Sequence, residues 1–371
     1  TGSNRQKRFF SLLKENDFNA KINLTYAIGD KFGKGNSNFQ AGYSGRLVFD
    51  NFEAVEYNFT AVSGTYQIQN LSLDNIYNQS NYDAGKFMMT EGDMNRYKVY
   101  KFIHAPYAEV NYQLTDKLTA NAGVKADKVD MTVNHHVQHV AQGKESINKL
   151  YFLPALNLKY DANNRNSLRL GLSKTYTLPQ SKEISPYQYV NISFSSQGNA
   201  RLKPSDNYNA DLKWDFYITP SELISITGFY KHIVNPIARV DIGNSAGLLT
   251  YDNVSKFATA AGVELEIRKN LFSLNGNSSD KTNRLSVGLN ASYIYTDLAV
   301  NYTDFNGQLR SRHTKLEGAA PVIVNFDISH NYSIHKKSFV NSLVFNYFSN
   351  RIQTIGALGF KDIIEEGVPA L

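Results

Sequence analysis

The chain has 371 residues, a formal net charge of +6 and no cysteine. That length suits one large barrel or roughly two to three ordinary domains, and the missing thiols exclude a disulfide scaffold and a Cys-ligated zinc site. The small charge excess comes without a Lys/Arg-rich run, which argues against a nucleic-acid partner. No apolar run approaches the ~18 residues of a membrane helix.

Residues 1–17 open with a basic, polar stretch and a short FFSLL patch, and a loop is expected there; no secretory h-region is visible, so an exported form would be a mature product or a fragment. Residues 18–26 alternate, with Phe18, Ala20, Ile22, Leu24 and Tyr26 on one face and Asn19, Lys21, Asn23 and Thr25 on the other. Side chains on a strand point to opposite faces in turn, so this is a two-faced strand. After a Gly/Lys/Asn-rich turn, residues 39–49 return, Phe39, Ala41, Tyr43, Gly45, Leu47 and Phe49 opposing Gln40, Gly42, Ser44 and Arg46. Residues 50–96 read as a long irregular stretch.

Four more hairpins follow with the same pattern: residues 107–114 and 118–127, 152–160 and 168–176, 210–218 and 224–230, and 261–267 and 285–295. A sixth pairs residues 322–332 with 339–347, and residues 130–149 read as a second long connection. The clearest strand is LSVGLNASYIY, residues 285–295. Leu285, Val287, Leu289, Ala291, Tyr293 and Tyr295 share one face, and Ser286, Gly288, Asn290 and Ser292 share the other with Ile294 as the one exception.

A soluble sandwich strand would put charge opposite its apolar face. Here small polar groups oppose an apolar face tipped with tyrosine, about a dozen times over, which predicts an all-β transmembrane antiparallel barrel, apolar outside and polar inside. Strands of ~9–11 residues match a tilted bilayer crossing. Connections inside hairpins are short and those between hairpins long, as periplasmic turns and extracellular loops are. Asp116, Asn163 and Pro220 are therefore expected at the periplasmic side, and Gln79, His136, Gln188, Asn244 and Asn306 outside.

His135, His136 and His139 cluster closely enough to suggest zinc or copper, but no carboxylate or rigid frame accompanies them, and no metal site is expected. Lys125, Asp127, Arg169, Glu264, Glu266 and Arg268 fall in the inward phase, either as a ligand path or plug-gripping surface, or as charge solvating a wet interior. No G-x-S-x-G, H-E-x-x-H or P-loop occurs, so neither an enzyme nor a cofactor is expected. Tyrosines at strand ends suit interfacial girdles better than a carbohydrate-stacking set.

One segment carries a family pattern. Ser173-Lys174-Thr175-Tyr176-Thr177-Leu178-Pro179 ends a strand, and Gly198-Asn199-Ala200-Arg201-Leu202-Lys203-Pro204 starts the next hairpin. Phe229-Tyr230-Lys231 with Asn235-Pro236-Ile237, and Leu316-Glu317-Gly318-Ala319-Ala320-Pro321 with Val324-Asn325, continue it. This resembles the barrel of TonB-dependent outer-membrane receptors in the form common among Bacteroidota, over roughly residues 98–371. Leu178 stands where that family usually has Arg, and Ala200 where it has Pro.

The resemblance implies a bacterial outer-membrane receptor that binds a nutrient ligand (siderophore, glycan, peptide or cobalamin) at extracellular loops and imports it through the barrel. It also implies a plug, about 22 strands and partnership with the TonB complex. Neither plug nor terminal strands are visible, so residues 1–371 are expected to be a single, partial barrel domain of about twelve strands, in contact with outer-membrane lipid and open to a surface lipoprotein lid. The alternatives are a non-transporting adhesin- or porin-like barrel, an outer-membrane hydrolase and a soluble all-β binding module.

Overall fold

The structure, a computed structural model, describes residues 6–29, 37–62, 73–92, 94–137, 142–190, 194–241, 248–275, 281–303, 309–334, 337–356, 361–367 and 369. Among them, twelve long strands form one antiparallel meander in sequence order. They are β1 (Gln6–Ala27), β2 (Asn38–Ala61), β4 (Asn95–Gln113), β5 (Leu118–His136), β6 (Gly143–Asn163) and β7 (Asn166–Thr177), then β10 (Ser205–Thr219), β11 (Glu222–Val234), β14 (Phe257–Asn275), β15 (Lys281–Thr303), β17 (Val322–Ile334) and β18 (Lys337–Phe348). β3 (Phe87–Glu91) extends the sheet beside β2, and β16 (Leu309–Thr314) beside β15.

Each of the six expected hairpins is present. Local chemistry explains the tight turns. Thr115 Oγ1 accepts the backbone N–H groups of Lys117 and Leu118 at 3.2 and 3.0 Å. Asn163 Oδ1 does the same for Arg165 and Asn166 at 2.9 and 3.0 Å. Short polar side chains that mimic a backbone turn are favoured at such positions. Asp116, Asn163 and Pro220 lie at this short-turn end, and Gln79, His136 and Gln188 at the other. Asn244 and Asn306 fall outside the described residues.

The strands run much farther than expected. β1 starts at Gln6, inside the expected loop of residues 1–17. β2 continues to Ala61 and β4 begins at Asn95, so the stretch taken as irregular is largely strand, with β3 and two short helices, α1 (Leu73–Ile76) and α2 (Gln79–Asp83), between them. β5 reaches His136 and β6 starts at Gly143, leaving only residues 137–142 of the expected long connection. β14 and β15 likewise run to Asn275 and from Lys281, into the expected turn between them. A strand of 22 residues is twice what a tilted bilayer crossing of ~9–11 residues needs. In the longest strands, β1, β2, β6 and β15 at 21 to 24 residues, about half of the strand therefore stands outside hydrocarbon, whereas β7, β11, β17 and β18, at 12 or 13 residues, are little longer than one crossing.

The side-chain pattern changes accordingly. Near the short turns the apolar face is bare: Ile22, Leu24 and Tyr26 are 70%, 76% and 72% exposed, with Phe39, Phe152, Leu212, Val263 and Phe339 exposed alongside. Farther along, apolar residues switch to the opposite face and become buried. On β5, Ala120, Ala122, Val124 and Ala126 face outward, but Val129, Met131 and Val133 face inward. There they join Ala54, Tyr97, Val99, Ile147 and Tyr151 from neighbouring strands. Ile184 of α3 (Ser181–Ile184) and Tyr187, both from the connection after β7, cover this cluster. The face that the connections fold over is the polar one near the short turns, which makes it the interior.

Two measurements follow. Leu289 lies on the outward phase of β15 and Asn290 on the inward phase, beside Glu264 and Lys213. Leu289→Arg should cost about 2–4 kcal/mol if it lies near the midplane, whereas Asn290→Arg should cost little, measured as folding stability of the parent barrel in lipid vesicles. The reverse order would invert the two faces. The second concerns His135, whose side chain is buried with Nε2 4.0 Å from Glu145 Oε1. Burial holds its pKa below the ordinary 6.5, and Glu145 offsets this in part. The folded state prefers neutral His135, so its contribution is present above pH 6.5 and lost as pH falls through the lowered value. His135→Gln should flatten the loss of stability as pH falls below 6.5 relative to the unsubstituted protein, read by urea unfolding.

Candidate functional site

A second sheet, of six strands, is built from connections. β8 (Gln188–Val190) and β9 (Ser195–Gln197) come from the β7–β10 connection, β12 (Ile237–Asp241) and β13 (Leu248–Asn253) from β11–β14, and β19 (Arg351–Gly356) and β20 (Ile363–Glu365) follow β18. The order is β20-β19-β12-β13-β9-β8, with β12–β19 and β13–β9 parallel. Its apolar side, Ala238, Val240, Ile352 and Ile355 with Val254, packs on Ala258, Leu298 and Val300 of β14 and β15. Those three lie on the inward face, so this sheet covers the interior at the long-connection end.

The motif residues read from the sequence sit at its seams. A Cβ on Gly198 would lie 1.7 Å from the Ser185 carbonyl oxygen, so only glycine permits that approach. Asn199 donates its backbone N–H to Glu183 O at 2.6 Å and its side-chain amide to Tyr251 O at 2.9 Å. Asn235 takes φ +53°, a left-handed turn that Asn tolerates and that swings β11 into β12. The Asn253 amide donates to the carbonyls of Lys203 and Asn235, at 2.9 Å each. Gly318 takes φ +75° and donates to Ile352 O at 2.8 Å. These residues assemble the connections into one sheet; none is placed as a ligand contact.

Charged groups lock the seams. Glu317 accepts the Arg239 backbone N–H at 2.6 Å, and burial raises its carboxyl above the usual range. Arg239 also donates to Gln353 O at 2.7 Å. Burial opposes ionisation of Asp362, yet hydrogen bonds from Arg312, Thr314 and the Gly356 N–H outweigh it and hold its carboxyl low. Arg351 and Glu365 form a two-point bridge at 2.8 and 3.0 Å.

Inside, the wall is lined by paired charge. Lys125 and Asp127 pair at 3.1 Å, and Tyr176 donates to Asp127 at 2.9 Å. Arg169 and Lys213 each approach the buried Asp215 at 3.6 Å. Glu266 pairs with Arg268 at 2.5 Å. Glu264 and Glu266 join Lys213, Ser225, Thr227 and Asn290 around a cavity of ≈ 230 Å³. All six inward candidates thus share the interior, five of them in separate ion pairs and Glu264 on the cavity lining, rather than as one cluster. Lys213 and Asp215 were missed although they alternate with Leu212, Trp214 and Phe216 and so fall in the opposite, inward phase. Lys149 and Lys174 reach Asp206 at 3.1 and 3.4 Å beyond the last β6–β7 pair, Ala155 with Ser173, where the two strands part and no local pattern reports which side chains meet. Tyr176 stacks on Tyr151 across that gap, ring centres 4.0 Å apart.

The histidines do not converge. His135 is buried and inward and His136 is exposed on the opposite face; His139 lies outside the described residues. Over the inner wall, Ser181 donates to Asp50 at 2.6 Å, and burial, with Asp50 adding to it, pushes the Tyr97 hydroxyl up to about 12.

Among solved structures, the fold is similar to the ferric yersiniabactin uptake receptor FyuA from Yersinia pestis, with a TM-score of 0.58 at 11% identity over 100% of this chain and 47% of that one. It is similar to the copper transporter OprC (TM-score 0.56, 12% identity, 97% and 47% covered). It is also similar to the ferric citrate transporter FecA (TM-score 0.53, 11% identity, 100% and 47% covered). The chain spans about half the length of these proteins. A family model described as TonB dependent receptor-like, beta-barrel matches residues 2–352. Members of that family are receptors and transporters rather than enzymes; they bind nutrient ligands and interact with TonB. The transmembrane antiparallel barrel expected from alternation is this family's fold, and the chain belongs to the TonB-dependent receptor β-barrel family of bacterial outer-membrane proteins.

Proposed function

We propose that this chain is the barrel portion of an energised outer-membrane importer, with further strands and a plug supplied by the rest of the same polypeptide. Ligand is captured at the connection-built sheet and passes along the charged inner wall, where Lys125, Asp127, Arg169, Glu264, Glu266 and Arg268 form part of the path. The TonB complex acts through the plug, and no step makes or breaks a covalent bond of the ligand. The ligand class lies among siderophores, glycans, peptides and cobalamin, and a surface lipoprotein lid fits over the same end.

The observation that carries this reading is the pairing of an apolar outer coat with a polar interior roofed by interlocked connections. An adhesin has no need of a polar path, and a porin would leave it uncovered.

The test is uptake by nutrient-limited cells expressing the parent protein, with and without TonB. Loss of uptake on TonB removal is expected; uptake that persists would favour the non-transporting or porin-like barrel. Gly198→Ala should displace the sheet, because its Cβ meets the Ser185 carbonyl. Uptake should fall at least about tenfold, the equivalent of ~1.4 kcal/mol of lost binding. Assembly into the membrane should be unchanged, checked by heat-modifiable gel mobility. Full uptake in that variant would remove the connection sheet from the import path.

A further inference from the structure

One edge inside the wall has no neighbour. β6 pairs with β5 without a register shift from Tyr160 back to Gly143, but with β7 only as far as Ala155, opposite Ser173. Pro154 comes next and accounts for the break. Asp161 donates its N–H to Lys117 O, on the β5 side, at 2.8 Å, and backbone groups alternate in direction along a strand. Odd-numbered residues of β6 therefore bond β5, and even-numbered ones point toward β7. Pro154 brings no N–H to the β7 side, and its ring stands where the next pair would form. Past it, Phe152, Leu150, Asn148, Ser146 and Lys144 aim five N–H and five C=O groups at a position that no described strand fills.

The end of β7 lies behind this edge rather than beside it. Tyr176 stacks on Tyr151 with ring centres 4.0 Å apart and donates to Asp127, and Lys149 Nζ reaches Asp206 at 3.1 Å. Tyr151, Lys149 and Asp127 are inward residues, so the end of β7 and the start of β10 have slipped to the lumen side. Their outward residues Lys174 and Tyr208, ammonium over ring at 5.4 Å, form the back of a notch whose side is the β6 edge. The height of the notch is the second observation. Leu150 lies ten residues along β6 from Tyr160, the last outward apolar residue before the short turn. At about 3.4 Å per residue and a tilt of ~45°, that is ~24 Å, against an apolar band ~25 Å tall. The edge therefore starts in the outer hydrocarbon at the exposed Phe152 and Leu150 and runs into water at Asn148, Ser146 and Lys144. Unpaired backbone is costly in hydrocarbon, so the lower part of the edge demands a partner strand.

We propose that the notch receives an extended segment of a second polypeptide, which adds itself beside β6 as a further strand. Backbone hydrogen bonds to the even-numbered residues hold it. Its side chains are apolar beside Phe152 and Leu150 and acidic beside Lys144, which is exposed and has no ion-pair partner among the described residues. A second copy of this chain does not fit. Two identical edges pair antiparallel about a two-fold axis perpendicular to the sheet, which lies in the membrane plane and would turn one barrel upside down. Import cargo does not fit either, because Ile184, Tyr187 and Leu178 cover the inner face of this part of the wall. The site depends on the transmembrane barrel and its orientation, and not on transport.

The test uses the outer-membrane protein that contains this chain, purified in nonionic detergent. Residue-resolved hydrogen exchange should find the amides of Asn148, Ser146 and Lys144 exchanging at least about tenfold faster than those of Lys149, Ile147 and Glu145, which bond β5. Equal protection would mean that the rest of the same polypeptide already fills the notch, and overturns the proposal. The probe is a fluorescent ten-residue peptide alternating valine with serine and ending in glutamate. Its twin is N-methylated at two adjacent central residues, which removes a donor from either edge. By fluorescence anisotropy the peptide should bind at least about tenfold tighter than the twin, a margin set by lost backbone hydrogen bonds, and should slow exchange at the even-numbered amides. S146P/N148P removes two edge donors without touching the β5 ladder and should weaken binding by a similar factor. K144E should shift the preference to a peptide ending in lysine. Absent binding, equal binding of the twin, or binding that leaves the even-numbered amides unprotected overturns the proposal; these readings use the unsubstituted protein and so hold even if the proline variant fails to assemble.

Discussion

The antiparallel ladder from β1 to β18 crosses two solvents, and its backbone must be satisfied in both. In hydrocarbon an unpaired N–H or C=O costs several kcal/mol, so the chain can cross only as paired strands. That requirement fixes the backbone and leaves the side chains to adapt. Near the short turns, lipid demands an apolar outer face and water a polar inner one. Beyond the bilayer, water reaches the outer face and the connections cover the inner one. β5 records both demands in one strand, with Ala120 to Ala126 outward and Val129 to Val133 inward. The change falls beside Asp127 and Lys128, one charge on each face.

The interior core beyond the bilayer is what lets the connections order. A connection standing alone in water buries too little apolar surface to offset the entropy of fixing it. Here Ile184 and Tyr187 find an apolar wall, and β12 and β19 find Ala258, Leu298 and Val300. Parallel pairing between strands from distant connections then becomes possible, because each is already held by the wall. Gly198, Asn235 and Gly318 supply the close approach and the left-handed turns that such seams need. The family motifs are therefore explained by architecture, with no ligand required.

Alternation was fully legible wherever lipid enforced it. Residues 39–49 and 285–295 could be assigned to faces because a slip by one would put polar groups into hydrocarbon. Strand ends were not legible. Past Phe49 the apolar residues Phe52 and Ala54 change phase, and a reading that follows one phase sees irregularity. The same inversion turned β4 before Tyr107 and β5 after Asp127 into apparent loop. The inward charges were readable in kind, since Lys125, Asp127, Arg169, Glu264, Glu266 and Arg268 all face the interior. Their partners were not, because Arg169 meets Asp215 across a strand pairing whose register no local pattern reports.

That pairing bears on what the wall can select. Lys125 with Asp127 and Glu266 with Arg268 cancel within one strand, and Arg169 with Lys213 surround Asp215. A wall of cancelling charges is wet and polar but exerts little net field at a distance, since opposite charges a few ångströms apart screen each other. It can exchange hydrogen bonds with a passing solute without holding it by charge. For the importer proposed here, strong retention on the wall would slow release, while selection needs a surface that differs between receptors. The connection-built sheet has more of that freedom: its seams are fixed at a few positions, by close backbone approach at Gly198, Asn235 and Gly318 and by side-chain locks such as Arg239–Glu317 and Arg351–Glu365, and its apolar side is held by the wall, which leaves its remaining positions free to differ. On the proposed importer reading, discrimination among ligands would belong to the sheet, and passage to the wall.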